Sequence, residues 1–315
     1  MHPAYSVIFF TTASGLGYGL IALMGVFAAA GVLAPARWFG FTVFCIALGA
    51  VTFGLLSSTF HLGHPERAWR AFSQWRSSWL SREGVLAVVT YPPAGLFAIG
   101  WVFLERNDGL WGLFGIATAV LAALTVFSTG MIYATLKPIY QWTSIWVVPN
   151  YLAMALMSGA LWLNALAHLF GVSHAAINWL AVIATALAWG LKRAYWRHID
   201  RAKSPSSPET ATGLGDFGKV RLFEAPHTEE NYLMKEMGYA IARKHALKLR
   251  ALAAGAGFGA PLVLSAAVFI LPGWAAGAAA VPAAVLSGAG LLVERWLFFA
   301  EAKHAVTLYY GAQSV

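Results

Sequence analysis

Charge is scarce in this chain. Asp, Glu, Lys and Arg together make up 11% of the 315 residues, while 59% are hydrophobic. Soluble domains carry about a quarter charged residues, so this composition cannot cover an ordinary water-facing surface. Acidic residues are the scarcer sign, 13 against 21 Lys and Arg. Cysteine is almost missing. The one thiol, Cys45, excludes a disulfide within the chain and cannot hold an iron–sulfur cluster, which takes four ligands. It reads as a small apolar filler. If electrons pass through this protein, the clusters belong to a partner. No low-complexity tract and no clear internal repeat is visible. The ten-residue alternating segments of an outer-membrane barrel are missing. So is a phosphate loop: the Gly-rich piece from Thr212 to Gly218 has no Gly-Lys-Ser/Thr ending, and no strand precedes it.

What is present is long apolar runs. Crossing ~30 Å of hydrocarbon takes about 20 mostly apolar residues in a helix. Eight stretches qualify, at roughly 8–33, 39–62, 84–104, 110–135, 145–169, 175–196, 251–271 and 279–300. The fold class predicted is therefore all-α: a polytopic membrane protein with eight transmembrane helices. Residues 1–315 read as one membrane domain with an insert, 197–250, between spans six and seven. The first stretch is too long for a signal-peptide core and more spans follow, so it reads as retained. Pro92 and Pro93 should kink span three. Gly15, Gly17 and Gly19 in span one, and Ser287, Gly288 and Gly290 in span eight, favour close helix packing.

The basic residues fall on one side. The side holding the N-terminus takes Arg67, Arg70, Arg76, Arg82, Lys137, twelve Lys or Arg within 192–250, and Lys303. The other side takes only Arg37 and Arg106. By the positive-inside rule both termini are cytoplasmic. The net charge of +8 follows from this asymmetry. Basic residues flanking spans meet lipid head groups, so nucleic acid is not an expected partner.

One island of charge interrupts the apolar runs: His61-Leu62-Gly63-His64-Pro65-Glu66-Arg67-Ala68-Trp69-Arg70, closed by Ser77-Ser78-Trp79-Leu80-Ser81-Arg82-Glu83. Projected as an α-helix, 66–79 puts Ala68, Trp69, Ala71, Phe72, Trp75 and Trp79 on one side. Glu66, Arg67, Arg70, Ser73, Gln74 and Ser77 fall on the other, so an amphipathic helix in the membrane interface is expected between spans two and three. His61 and Glu83 lie where span two ends and span three begins. Ionisable groups at the edge of the hydrocarbon tend to mark pathways for protons or substrates. A quinone headgroup needs a donor for a carbonyl oxygen, a route for two protons and an apolar slot, which a His and a Glu at such an edge can provide. A structural His–Arg–Glu network is the plainer alternative. His61, His64 and Glu66 lack a further nearby ligand for a metal. The nine histidines lie mostly near span ends, which disfavours haem b. Glu294-Arg295 inside span eight reads as a buried ion pair or part of a network.

The insert opens with Ser204-Pro205-Ser206-Ser207-Pro208, a turn-rich piece. It closes with a helix-like run from Thr228 to Arg250. Its mixture of hydrophobic and charged residues suits a docking surface for another subunit.

The island resembles a known signature. His61-Leu62-Gly63-His64-Pro65-Glu66-Arg67-Ala68 followed by Leu80-Ser81-Arg82-Glu83 looks like the His-Leu-Gly-x-Pro-x-Arg-Ala and Leu-Ser-x-Glu motifs of the membrane anchor subunits of dimethyl sulfoxide reductase-type molybdoenzymes, the DmsC family. Trp142-Thr143-Ser144-Ile145-Trp146 before span five, and a last span bearing Glu and Arg with His304 after it, resemble that family too. The resemblance implies a bacterial cytoplasmic-membrane anchor that exchanges electrons with a quinone, ubiquinone or menaquinone. It implies two partners, a molybdopterin catalytic subunit and a four-cluster iron–sulfur subunit. The family's quinol-site His and Glu map onto His61 and Glu83, with Arg67 and Ser81 in the same motifs as further quinone-site candidates. Trp142, Phe223, Glu224 and His227 are the candidates for partner docking. Two features depart from the reductase anchor. The charge count places the motif side in the cytoplasm, and the stretch Phe223-Glu224-Ala225-Pro226-His227-Thr228-Glu229-Glu230-Asn231-Tyr232 is not part of that anchor. Both look more like the anchor of the cytoplasm-facing sulfite dehydrogenase, the SoeC type. A quinol-oxidising reductase anchor, a secondary transporter and a purely structural anchor are the alternatives.

Overall fold

A computed structural model of the chain describes residues 3–60, 62–202, 204–224, 229 and 240–315. Eight helices among them are long and apolar enough to cross a membrane. They are α1 (Pro3–Ala29), α2 (Arg37–Thr59), α3 (Trp79–Val102), α4 (Gly109–Ala134), α5 (Val147–Leu169), α6 (Ala175–Arg201), α7 (Ala246–Ala267) and α8 (Gly273–Ala300). In hydrocarbon each backbone N–H and C=O must be satisfied within the segment, and a helix does this for apolar runs of this length. Large side chains point outward: Phe53, Leu113 and Val263 are exposed. On a soluble protein such a surface would be a liability, but here it is the lipid-facing side.

The helices form two rings of four. In the first, α1 packs on α2, α2 on α3, α3 on α4, and α4 returns to α1. In the second, α5 packs on α6, α6 on α7, α7 on α8, and α8 returns to α5. No repeat was legible in the sequence, yet the two halves share this plan. They join where α1 and α4 meet α5 and where α1 meets α8. The α1–α5 seam depends on Gly19 and Gly159, where an added Cβ would land on backbone atoms of the facing helix. This is the close approach that small residues permit between membrane helices.

Several expectations need correction. The island folds as a 3₁₀ helix over Pro65–Gln74, not as an α-helix. Its faces therefore differ from the α projection: Arg67 lines a cavity together with Ala68, Ala71 and Phe72, while Trp69 and Trp75 are exposed. The prolines fall within span three as expected: Pro92 and Pro93 lie inside α3, where the hydroxyl of Tyr91 beside them is 2.8 Å from that of Thr52 on α2. Span six extends to Arg201, and span seven starts earlier, at Ala246. The early start is tolerated because Arg250 pairs with Asp200 (2.8 Å) and Glu301 (2.6 Å). A π turn, Gly255–Gly259, interrupts α7, and there Gly257 packs on Gly290 of α8. Thr228, the expected start of the insert's closing helix, lies outside the described residues. The described part of that run is Ala240–Lys244 and α7 itself. Arg243 anchors it by donating to the carbonyls of Ala300 (2.7 Å) and Ala302 (2.9 Å).

Candidate functional site

The alternating directions of the helices bring five segments to one end of the first ring: the start of α1, the end of α2, the 3₁₀ helix, the start of α3 and the end of α4. Together they enclose a cavity of about 500 Å³. Its wall is mostly apolar; besides the hydroxyls of Ser58 and Thr59, its polar groups are His64, Arg67, Glu83 and Tyr133. A mostly apolar pocket of this size with a few converging polar groups is the usual form of a small-molecule site. The loop is held against α3 by Arg82. Its Nε donates to the Trp75 carbonyl (3.0 Å), its Nη2 to the Arg76 carbonyl (2.7 Å), and its guanidinium lies 4.2 Å from the Trp79 ring centre.

Glu83 is the buried acid of this cavity, 4% exposed one turn into α3. A carboxyl group there needs a partner. Thr129 of α4 provides it through a short hydrogen bond between its hydroxyl and Oε1. The same hydroxyl is 3.1 Å from the Thr125 carbonyl. A hydroxyl has one proton to donate and can also accept. When it donates to Glu83 it serves the carboxylate. When it donates to the Thr125 carbonyl it can accept from the protonated acid. The site thus accommodates Glu83 in both protonation states without rearranging a helix. On the loop side, His64 Nδ1 is 2.9 Å from Glu66 Oε1, and Arg67 Nε is 3.7 Å from the same oxygen.

Of the residues expected at the site, Arg67 and Glu83 meet at this cavity. His61 lies outside the described residues. Ser81 does not line the cavity: it is buried on another face of α3, and its hydroxyl has no hydrogen-bond partner among the described residues. Sequence reasoning weighed His64 only as a metal ligand and missed Thr129 and Tyr133. Among the described residues no three His, Cys, Asp or Glu converge as metal ligands do.

The expected docking residues separate. Trp142 is buried, its Nε1 donating to the Phe298 carbonyl (3.0 Å) and its ring stacked on Phe298 at 5.5 Å. It holds α8 rather than offering a surface, because its indole fills an aromatic cluster with Tyr133 and Phe299. Phe223 and Glu224 are exposed. His227 lies outside the described residues.

A second group of charges lies deep between α6 and α8. Lys192, Glu294 and Arg295 are 1%, 0% and 4% exposed. Lys192 pairs with Glu294, whose other oxygen is 3.6 Å from Arg295 Nε. The Arg295 guanidinium lies 3.8 Å from the Tyr151 ring centre. The Glu294-Arg295 network was legible in the sequence. Lys192 was counted among the loop charges, and the structure corrects that.

Eight helices long and apolar enough to cross a membrane, with a charged 3₁₀ segment closing one end of the first ring, define a polytopic membrane protein. The DMSO reductase anchor subunit (DmsC) family matches residues 1–210, and the chain belongs to it. It is 33% identical to the C subunit of the sulfite dehydrogenase of Allochromatium vinosum, over 98% of this chain and 99% of that protein. It is 29% identical to the C component of the anaerobic dimethyl sulfoxide reductase of Escherichia coli, over 41% of this chain and 45% of that one. No solved structure matches it significantly. The chain is thus a multi-pass membrane anchor subunit of the DMSO reductase and sulfite dehydrogenase type.

Proposed function

We propose that this chain is the quinone-reactive anchor of a molybdopterin and iron–sulfur oxidoreductase in the bacterial cytoplasmic membrane. In this reading it passes electrons from sulfite oxidation to a quinone. The observation that carries the quinone reading is Glu83: a buried acid in an apolar cavity at the membrane edge, with a Thr129 hydroxyl that serves it charged or neutral. A bound quinone supplies a two-electron, two-proton couple. The chain's residues do the rest. The apolar wall from α1, α2 and the 3₁₀ helix excludes water around the headgroup. Glu83 exchanges protons, and Arg67 gives the polar end of the cavity a fixed positive charge. His61, by family resemblance, and His64, which lines the cavity, are the donors toward a quinone carbonyl. Sulfite as the electron source is supported by a match running along nearly the whole chain, against less than half for the reductase anchor.

The partners in this reading are a four-cluster iron–sulfur subunit and a molybdopterin subunit. They dock on the side of the N-terminus, which the distribution of Lys and Arg makes cytoplasmic. Phe223 and Glu224, exposed on that side, belong to the docking surface.

The test is Glu83→Gln, with His61→Ala beside it. Both complexes should co-purify intact and keep dye-linked substrate oxidation, which belongs to the partners. Quinone reduction should fall about 100-fold, the range lost with one positioned acid–base group. Normal quinone reduction in both variants would remove this cavity from the mechanism.

A further inference from the structure

α2 and α3 form the least extensive seam of the first ring. Their links gather toward the end opposite the N-terminus. Arg37 Nε donates to the Val102 carbonyl (3.1 Å), and Trp101 Nε1 donates to the Ala36 carbonyl (3.0 Å). The Trp101 indole fits because residue 40 is Gly: an added Cβ there would land on the ring. Phe44 meets Phe97 edge to face at 5.2 Å. The innermost of these links is the hydroxyl pair of Thr52 and Tyr91, 2.8 Å apart. Steps of three or four residues continue the facing stripes from Thr52 to Leu55 and Thr59, and from Tyr91 through Val88 to Gly84 and Leu80. Leu55, Thr59, Gly84 and Leu80 all line the cavity of about 500 Å³. The two helices therefore part where the cavity begins. Pro92 and Pro93 stand at this level beside Tyr91, and a proline inside a helix removes a backbone hydrogen bond from the turn before it.

The other seams of the ring are closed at this depth. Between α1 and α2 the Ser57 hydroxyl is 3.2 Å from the Ser6 carbonyl, and Gly54 sits against Ser14. Between α3 and α4, Thr129 bonds Glu83 and Trp79 meets Phe127 at 5.8 Å. The seam of α4 and α1 faces the second ring, since both helices pack on α5. The gap between α2 and α3 is different. Leu80 and Phe72 stand at the edge of the cavity wall: they line it and are also exposed. Just outside are Leu56 of α2 and Val88 of α3, large apolar side chains exposed on membrane-spanning helices, so hydrocarbon meets the opening. Phe72 forms the rim on the loop side. Its ring is 3.2 Å from where a Cβ on Gly84 would stand, so the missing side chain at 84 leaves the ring its place.

We infer that the gap between α2 and α3, on the side of the membrane that holds the N-terminus, is a lateral portal that holds the isoprenoid tail of a quinone, with the Thr52–Tyr91 pair as its floor and Phe72 as its loop-side rim. The assignment rests on the quinone reading above and adds the place where the tail leaves the cavity. An isoprenoid tail offers no hydrogen bond, and a path toward water would expose all of its apolar surface, which the bilayer covers. Beyond the floor the tied helices close the way deeper. Thr52 and Tyr91 satisfy each other, so no unpaired hydroxyl stands against the tail. A phospholipid also brings tails to this depth. It would keep its phosphate at the loop, near Arg67, and set an acyl chain against the Glu83 carboxyl, to which the chain offers no hydrogen bond. A quinone carbonyl can share a proton there. The loop side is a second way in for a headgroup without a tail, because His64 and Arg67 line the cavity and are exposed.

The experiment uses the purified complex in proteoliposomes and takes two readouts. In the first, the oxidised complex is mixed with ubiquinol or menaquinol, each with its isoprenoid tail and as the tailless headgroup, and bleaching of the partner's clusters is followed. Val88→Trp and Leu56→Trp each set an indole in the portal, at exposed positions outside the cavity wall. Each should slow the tailed quinol at least tenfold and leave the tailless one at the wild-type rate. Leu113→Trp, on the lipid-facing side of α4, should change neither. In the second, a quinone of the faster headgroup with a photoreactive azido group in its tail is illuminated. Label should fall on residues 52–59 and 80–91, and excess tailed quinone should displace it. Displaceable label on other helices alone, or Trp variants that treat the two quinols alike, would overturn the portal. So would a photoreactive phospholipid that labels the same residues and is not displaced by tailed quinone, which would give the gap to a lipid. Wild-type rates in both portal variants, with Glu83→Gln slowed, would remove the portal and leave the quinone site standing. Wild-type rates in Glu83→Gln would instead overturn the quinone reading.

Discussion

The buried triad makes a prediction about stability that can be worked from its charges. Lys192 and Arg295 share one anion, Glu294, and all three are enclosed. Glu294→Gln leaves two cations facing each other with no anion between them. Lys192→Met leaves one cation and one anion, since Arg295 stays 3.6 Å from Glu294. Breaking a buried pair by removing one partner costs about 3–5 kcal/mol. The Gln variant should fall at the upper end, about 5 kcal/mol, and the Met variant at about 3 kcal/mol. The double variant keeps one cation, Arg295, resting on the Tyr151 ring. It should recover much of the loss, so that the two effects are far from additive. Thermal unfolding of the detergent-solubilised complex, followed by loss of monodisperse protein, gives the order: wild type, double variant, Lys192→Met, Glu294→Gln. Additive single and double losses would mean that the pair is not coupled. Equal single losses would refute the role given to Arg295.

Gly159→Leu should stop accumulation of the folded protein, because its side chain would meet the backbone of Gly19 and Leu20; membrane yield measured against Gly95→Leu, where nothing lies within 4 Å, checks this. Reporter fusions after Glu224 and after Arg106 should give opposite topologies, with Glu224 inside the cell. Acidification should loosen the C-terminal segment. Burial first, and Arg243 second, hold His304 below its ordinary value of 6.5. The unfolded segment therefore binds the proton more readily, and stability present at pH 7 falls as pH drops below about 6.5. His304→Phe should flatten that fall in a proteolysis assay.

The eight spans were legible because apolar length is a local property. Boundaries moved where a tertiary contact satisfied a charge. Span seven starts before Arg250 because Asp200 and Glu301 meet its guanidinium. The island was legible as a charged interfacial segment but not as a 3₁₀ helix. Three residues per turn in place of 3.6 put Arg67 on the cavity wall beside Ala68, Ala71 and Phe72, which the α projection set on the opposite side. Trp142 looked like a docking residue because an interfacial Trp in a family motif invites that reading. Its indole instead closes an aromatic cluster whose other members come from α4 and α8, far along the chain.

Glu83 was visible in the sequence, but its partner was not. Thr129 lies 46 residues away on another helix, and one Thr among many in an apolar span carries no signal. Lys192 is a different case. Counting it as an interfacial loop charge followed the usual expectation that a Lys near a span end snorkels to the head groups. A charge balance over the spans points the other way. Glu294 and Arg295 are adjacent in sequence, so their Cβ directions on a helix differ by about 100° and they cannot face each other squarely. A buried Glu294 therefore calls for a cation from a different helix. Lys192 is a span cation able to reach it, eight residues short of Asp200 on α6. Applied to the sequence alone, that requirement would have moved Lys192 from the loop to the core.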